Sequence, residues 1–289
     1  MAQQPADLAV VIVNHNAGEY LLRCLDSLKS SAGDTSLEIF LVDNASTDGS
    51  IDRARATHDD VTFVVNADNR GFSASVNQGI TRSHAPFILL MNPDAEVSSG
   101  TLSALLKVAE DWPRVAAIGP LIRNPDGSVY PSGRVFPSIR DAVGHAFLAP
   151  FRPNNRYSRA YTIADWDRMT PRVLDWVSMS CMLVRRSALQ EVGLLDESFF
   201  LYGEELDLCT RFRDAGWEVL YTPEVEVTHA VGVSTSQAGA LWRQREHSKG
   251  VYRYFAKHRA TGWRRILLAP AWVALRLRAE LVGRRREVP

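Results

Sequence analysis

The sequence predicts an α/β protein: a mostly parallel central sheet flanked by helices, with a C-terminal helical extension. Three observations carry this. Four short apolar runs alternate with stretches of helical spacing, the pattern of a parallel sheet with right-handed crossovers. Each run stops abruptly in a polar loop. From Gly239 onward the composition changes to basic and aromatic residues at helical spacing.

The first run, Leu8 to Val13, ends at Asn14-His15-Asn16-Ala17-Gly18, and Leu21, Leu22, Cys24, Leu25 and Leu28 then mark a helix. Leu37 to Val42 is the second run. It leads into Asp43-Asn44-Ala45-Ser46-Thr47-Asp48-Gly49-Ser50, whose Asx and hydroxyl residues suit a loop and a helix cap. Val61 to Val65 is the third, followed by a turn at Asn69-Arg70-Gly71 that opens a helix carrying Asn77. Phe87 to Met91 is the fourth and is apolar without a break, as in a strand buried on both faces. Pro93 stops it, leaving Asn92 and Asp94 at the carboxyl edge of the sheet, where ligands of open α/β sheets bind. An isolated Asn-Pro-Asp is more often just a turn.

Further on, Thr101 to Glu110 reads as an exposed amphipathic helix and Ala116 to Ile122 as a strand. Ser128 to Ser138 reads as extended or looped, and residues 139–170 as a mobile segment over a cleft. Trp176 to Val184 is a single apolar run, and Ser187 to Val192 a short helix closed by Gly193. In the helix after Gly203, the spacing puts Glu205 on the apolar seam of Leu201, Leu208 and Phe212. Asp207 and Arg211 form an i,i+4 pair on another face, with Glu204 nearer that solvated side. An acid on an apolar seam is either satisfied by a neighbour or is a general base whose pKa burial raises. Glu218 to Tyr221 and Val225 to Thr228 read as two short strands, and His229 closes the second. That histidine is either structural or a metal ligand shared with Asp94.

The 33 Lys+Arg equal the 33 Asp+Glu, so no overall field points to nucleic acid. Three scattered cysteines, Cys24, Cys181 and Cys209, suggest neither a disulfide framework nor a zinc site and fit a reducing compartment. No signal peptide and no membrane-spanning run is read. The Gly-x-Gly-x-x-Gly and P-loop fingerprints are absent. Beyond Gly239, Leu268, Trp272, Leu275, Ala279 and Val282 form an apolar seam among arginines. Such a helix suits an anionic membrane surface, or else packs on the domain with its arginines in water.

VIVNHN, LVDNASTDGS, NRGFSASVNQGI, LLMNPDAEV, GPLIRNPDGSVYPSGRVFPS and FLYGEELDLCTRFRDAGW occur in that order over residues 8–235. Together they resemble the inverting, nucleotide-sugar-dependent glycosyltransferases of family 2. The resemblance implies a Rossmann-like GT-A domain over residues 1–235, with a nucleotide-binding half to about residue 98 and an acceptor half from 99. Residues 236–289 would be basic amphipathic helices. The PDGSVYPSGRVFPS stretch is most similar to bacterial rhamnosyltransferases, especially the actinobacterial ones that act on polyprenyl-diphosphate-GlcNAc. The resemblance implies a dTDP-rhamnose donor, a polyprenyl-diphosphate-linked acceptor and a peripheral place on the inner face of the plasma membrane. By position, Asp43 matches the acid that reads the nucleobase, with Asn14, Asn16 and Asp48 in the loops beside it. Asn69, Arg70, Gly71 and Asn77 match the turn against the nucleotide. Asn92-Pro93-Asp94 stands at the Asp-x-Asp motif for Mn²⁺ or Mg²⁺, so Asp94 is the main protein ligand, Asn92 offers a neutral oxygen, and His229 completes the site. Glu204-Glu205 stands where the family has Glu-Asp, which makes Glu205 the base. The rival readings are a nucleotidyltransferase, which usually carries a Gly-rich basic loop after its first strand, and a non-catalytic sugar-binding module.

Overall fold

The computed structural model describes residues 5–136, 154–230 and 239–287, and residues 138, 148 and 152 besides. The first half alternates as expected: β1 (Leu8–Asn14), α1 (Glu19–Ser31), β2 (Leu37–Asn44), α2 (Ser50–Thr57), β3 (Val61–Asn66), α3 (Phe72–Ile80) and β4 (Phe87–Met91). The second half holds β5 (Ala95–Val97), α4 (Thr101–Asp111), β6 (Val115–Arg123), β7 (Val129–Tyr130), β8 (Gly133–Arg134), α5 (Arg156–Thr162), β9 (Arg172–Leu174) and β10 (Trp176–Val177). It continues through β11 (Cys181–Arg185), α6 (Arg186–Val192), α7 (Glu204–Asp214) and β12 (Glu218–His229). Two helices follow, α8 (Ala240–His258) and α9 (Leu268–Glu287).

The strands lie in the order β3-β2-β1-β4-β11-β6-β12-β5. The four strands foreseen in the first half are parallel and adjacent, with Ile12 opposite both Leu41 and Met91. The sheet turns mixed beyond β4, because β11 enters antiparallel between β4 and β6. Period-2 alternation explains the unbroken apolar runs. In β1, Ala9 and Val11 join one core while Leu8, Val10 and Ile12 join the other, so both faces are covered.

Four expectations are corrected. Glu218 to His229 is one strand, not two; its pairing with β6 shifts between Thr222 and Glu226, around Pro223, which has no N–H to give. The apolar run from Trp176 is two strands, broken at Ser178–Ser180, whose hydroxyls bond each other at 2.9 Å. Helix α4 is not wholly exposed, since Leu102, Leu105, Val108 and Ala109 are buried. Within 139–170, residues 139–147, 149–151 and 153 lie outside the described residues, but the part from 154 on is built into the fold. Asn155 caps α5, Trp166 meets the Tyr221 ring edge-on at 4.7 Å, and the Tyr221 hydroxyl donates to the Arg168 carbonyl at 3.0 Å. All three cysteines are free and buried.

The C-terminal helices form a hairpin, and the expected seam of α9 faces α8. The Trp272 and Tyr252 rings lie 4.9 Å apart, Ser248 donates to the Leu275 carbonyl at 3.2 Å, and Ala279 is buried. The boundary expected at 235 falls outside the described residues.

Candidate active site

Two neighbouring parallel strands, β1 and β2, bring their polar ends together. Asn14 is fully buried; its Nδ2 lies 2.8 Å from Asp43 Oδ1 and 3.0 Å from both the Ser46 and Ser50 hydroxyls. Asp43, equally buried, also accepts the Ser46 N–H at 3.0 Å. Asn16 accepts the Thr47 N–H at 2.8 Å, and its backbone is left-handed at φ 55°. Asp48 accepts the Gly18 N–H at 2.8 Å and the Ser50 hydroxyl at 2.6 Å. Burial opposes its ionisation, but the Ser50 and Gly18 bonds outweigh it and hold the carboxyl below its usual range. These four residues therefore form one preorganised edge.

Asn44, which sequence reasoning passed over as loop, organises the next turn. Its Oδ1 accepts the Ser75 hydroxyl at 2.8 Å, Asn66 Nδ2 at 3.0 Å and the Arg70 N–H at 3.3 Å; its Nδ2 donates to the Gly71 carbonyl at 3.1 Å. Its signal was an Asx at the buried end of a strand, where a polar side chain can gather two backbone groups and two side chains of the neighbouring turn and helix. Asn69 closes the turn by accepting the Gly71 N–H at 3.0 Å, and the Arg70 side chain is exposed on that edge. At Gly71, φ is 82° and a Cβ would lie 2.7 Å from the Phe200 carbonyl oxygen; that oxygen accepts the Phe72 N–H at 2.7 Å. The turn is thus fastened to the loop before α7. Asn77 serves the same junction rather than the edge: its amide donates to the Leu195 carbonyl and accepts the Leu195 N–H, at 2.9 and 3.1 Å.

At the end of β4, one strand along from Asn14, a second cluster forms. Asp94 and His229 are buried, and His229 Nε2 is 3.0 Å from Asp94 Oδ1 and 3.2 Å from Asn92 Nδ2. One ring nitrogen cannot donate to the carboxylate and accept from the amide at once. The buried Nδ1 of His229 has no hydrogen-bond partner among the described residues. A divalent cation between carboxylate and imidazole removes the conflict, and turning the Asn92 carboxamide over adds its oxygen. Donors about 3 Å apart suit bonds of about 2.1 Å at an octahedral ion. The residues fit Mn²⁺ or Mg²⁺, although no group of three His, Cys, Asp or Glu side chains gathers among the described residues.

The third cluster opens α7. Gly203 (φ 95°) and Tyr202 (φ 67°) are both left-handed, and such strain in a non-glycine residue collects at functional sites. The two acids occupy the first helical turn, where the helix dipole favours carboxylates. The expected sidedness is reversed. Glu204 is 5% exposed and Asp207 is fully buried, while Glu205 is half-buried. The reason is α8, which covers the supposedly solvated face: Asp207 takes its i,i+4 bond from Arg211 at 2.9 Å and contacts Lys257 and His258 at 2.7 Å. Burial, then the Glu205 charge, push the Glu204 carboxyl well above its usual range, and its Oε2 has no hydrogen-bond partner among the described residues. Burial raises the Glu205 carboxyl as well, against the Gly203 N–H that it accepts at 3.1 Å and the nearby charge of Arg134. Arg134, also unforeseen, lies 5.1 Å from the Trp176 ring and 5.3 Å from that of Tyr161. Its only sequence signal was a Gly-Arg pair in an extended stretch.

A Rossmann-like sheet edge lined with Asx residues, a metal-compatible corner and a buried acid pair are what a sugar transferase needs, and the sequence comparison names the class. The Glycosyl transferase family 2 profile matches residues 9–193, and the chain belongs to that family. It is 38% identical to N-acetylglucosaminyl-diphospho-decaprenol L-rhamnosyltransferase of Mycobacterium tuberculosis, over 96% of this chain and 93% of that one. It is 25% identical to rhamnosyltransferase WbbL of Escherichia coli K12, over 86% of this chain and 93% of that protein. Among solved structures, the mannosyltransferase PcManGT from Pyrobaculum calidifontis, in complex with GDP-Man and Mn²⁺, superposes with a TM-score of 0.59 at 19% identity. That match covers 97% of this chain and 74% of the mannosyltransferase, and it establishes a shared GT-A-like fold. The protein is a glycosyltransferase.

Proposed function

We propose that this glycosyltransferase moves L-rhamnose from dTDP-rhamnose to GlcNAc on a polyprenyl diphosphate, at the inner face of the plasma membrane, in building the cell wall. The observation that carries the sugar and acceptor is the 38% identity to the M. tuberculosis rhamnosyltransferase, maintained over nearly the whole of both chains. The site geometry supports the mechanism. The Asn14, Asn16, Asp43 and Asp48 edge, with Asn69, Arg70 and Gly71, receives the nucleotide. Asp94 and His229, with the carboxamide of Asn92, would hold a divalent cation. When bound, Mn²⁺ or Mg²⁺ neutralises charge on the leaving diphosphate.

Glu205 is the general base. It is the more accessible of the pair, its raised pKa brings it toward the working pH, and the Gly203 N–H fixes one of its oxygens. The acceptor oxygen bonds to the anomeric carbon as the bond to the diphosphate breaks on the opposite face. The hydroxyl proton passes to Glu205 and dTDP leaves. One displacement inverts the configuration and needs no second carboxylate as nucleophile. Arg134 holds positive charge near Glu205 and so favours its ionised form before the acceptor arrives.

The test is transfer by purified protein, with manganese, from dTDP-rhamnose to a polyprenyl-diphosphate-GlcNAc, beside calorimetric binding of dTDP, UDP and GDP. Transfer with a preference for dTDP supports the proposal. Preference for UDP or GDP replaces the donor, release of free nucleotide-sugar from an NTP replaces the reaction, and failure to bind any of the three nucleotides sinks the assignment.

A further inference from the structure

Once its seam is packed against α8, helix α9 still shows a second apolar stripe. Val273, Leu277 and Leu281 are spaced by four and are 56%, 60% and 66% exposed; Ile266, just before the helix, is 76% exposed. Helical periodicity places exposed Arg276 on one flank of this stripe and half-buried Arg278, which donates to the Gln244 side chain at 3.3 Å, on the other. The one nearby acid of the helix, Glu280, is occupied by Arg245 at 2.6 Å. Charge is divided sharply along the chain. Of its 33 Lys+Arg and 33 Asp+Glu, 13 basic and 3 acidic residues fall in 236–289, leaving 20 and 30 before them. The zero net charge is therefore an acidic body joined to a strongly basic hairpin. No helix among the described residues is long and apolar enough to cross a membrane.

The hairpin also rests on the loop that leads into the helix carrying Glu205. A Cβ at Gly250 of α8 would lie 1.9 Å from the Tyr202 carbonyl oxygen, so the helix backbone touches the residues just before Glu204. Lys257 reaches Asp196 at 2.6 Å, and Arg253 donates to the Ser198 carbonyl.

We propose that the stripe of Ile266, Val273, Leu277 and Leu281 seats on an anionic phospholipid bilayer, with Arg276 and Arg278 at the headgroups; this rests on the lipid-linked acceptor proposed above. An apolar stripe between cations matches an interfacial helix, whose long arginines reach back to the headgroups. The same arginines repel their own copies in a symmetric pair, which disfavours a second copy as the occupant. Seating the hairpin on the lipid holds the loop before α7, and with it Glu205, at the surface from which a lipid-linked acceptor emerges.

Cosedimentation of the full chain with phosphatidylcholine vesicles, with and without phosphatidylglycerol, tests this. Binding is expected only with the anionic lipid and weakens in high salt. The triple variant Val273→Ser, Leu277→Ser, Leu281→Ser keeps its circular dichroism and binds at least tenfold more weakly. Arg276→Gln weakens binding about fivefold. The vesicle assay needs neither donor nor acceptor, so failure of the rhamnose assignment leaves its result intact. Equal binding to neutral vesicles, a triple variant that binds like the wild type, or a dimer in light scattering that the triple variant dissociates would each overturn the proposal.

Discussion

At the β1–β2 edge, Asp43 and Asp48 are wrapped in donors: Asn14, the Ser46 and Ser50 N–H groups, the Ser50 hydroxyl and the Gly18 N–H. At the start of α7, Glu204 is equally hidden, yet one of its carboxyl oxygens has no partner among the described residues and Glu205 lies next to it. Both regions remove acids from water. The first compensates them within the protein and stays fixed. The second leaves carboxyls that hold a proton more readily, the condition of a group that must accept one during a reaction. The Asp94–His229 corner lies between these extremes, with Asp94 and Asn92 competing for one histidine nitrogen.

The largest expected effect separates the two acids of α7. Glu205→Gln keeps the size and loses the base, so kcat should fall about 10³-fold while dTDP affinity holds. Transfer unchanged in Glu205→Gln but abolished in Glu204→Gln would move the base to Glu204. Next comes the metal corner. Asp94→Ala removes its single carboxylate, and manganese-dependent activity should fall about 100-fold; calorimetry should show that dTDP affinity no longer responds to manganese. An unchanged manganese response would place the cation elsewhere. Smaller again is Asn77→Ala, which strips the Leu195 N–H and carbonyl of their partners. It should lower stability by about 1–3 kcal/mol in denaturant melts with little change in kcat. A large loss of dTDP affinity instead would return Asn77 to the nucleotide site.

Much of the first half was legible because it is local. Runs such as Leu8 to Val13 end where their polar residues begin, and parallel pairing brings those ends to one edge without further information. Asp94 and His229 were also legible as strand ends, although only the sheet order shows that they meet. What escaped depended on distant packing. Helical spacing put Glu204 and Asp207 toward solvent, but it cannot know that α8, about 40 residues on, covers that face. The same blindness left the Trp272 and Leu275 seam open between a membrane and the domain, when α8 takes it. Asn44 was hidden for a different reason: its partners, the Arg70 N–H, the Gly71 carbonyl and the Asn66 and Ser75 side chains, lie more than 20 residues on and leave no mark on its own neighbours.

Glu204 gives the mildest but most direct measure of the contrast between the two regions. Its carboxyl titrates well above the usual value in the folded protein and near about 4.3 in the unfolded chain. Between those two values the folded state binds more protons than the unfolded one. Stability therefore falls as pH rises from about 4.3 toward the folded pKa, and the deficit persists above it. An amide in the same place carries no charge to desolvate, although it gives up a helix-dipole interaction of about 0.3–1 kcal/mol. Glu204→Gln should therefore melt higher than the wild type at neutral pH, by about 2–4 °C for each kcal/mol gained. Below pH 4 the two should converge, since the wild-type carboxyl is then protonated in both states. A variant that melts lower at neutral pH would mean that the Glu204 charge is compensated after all, and that both regions hold their acids in the same way.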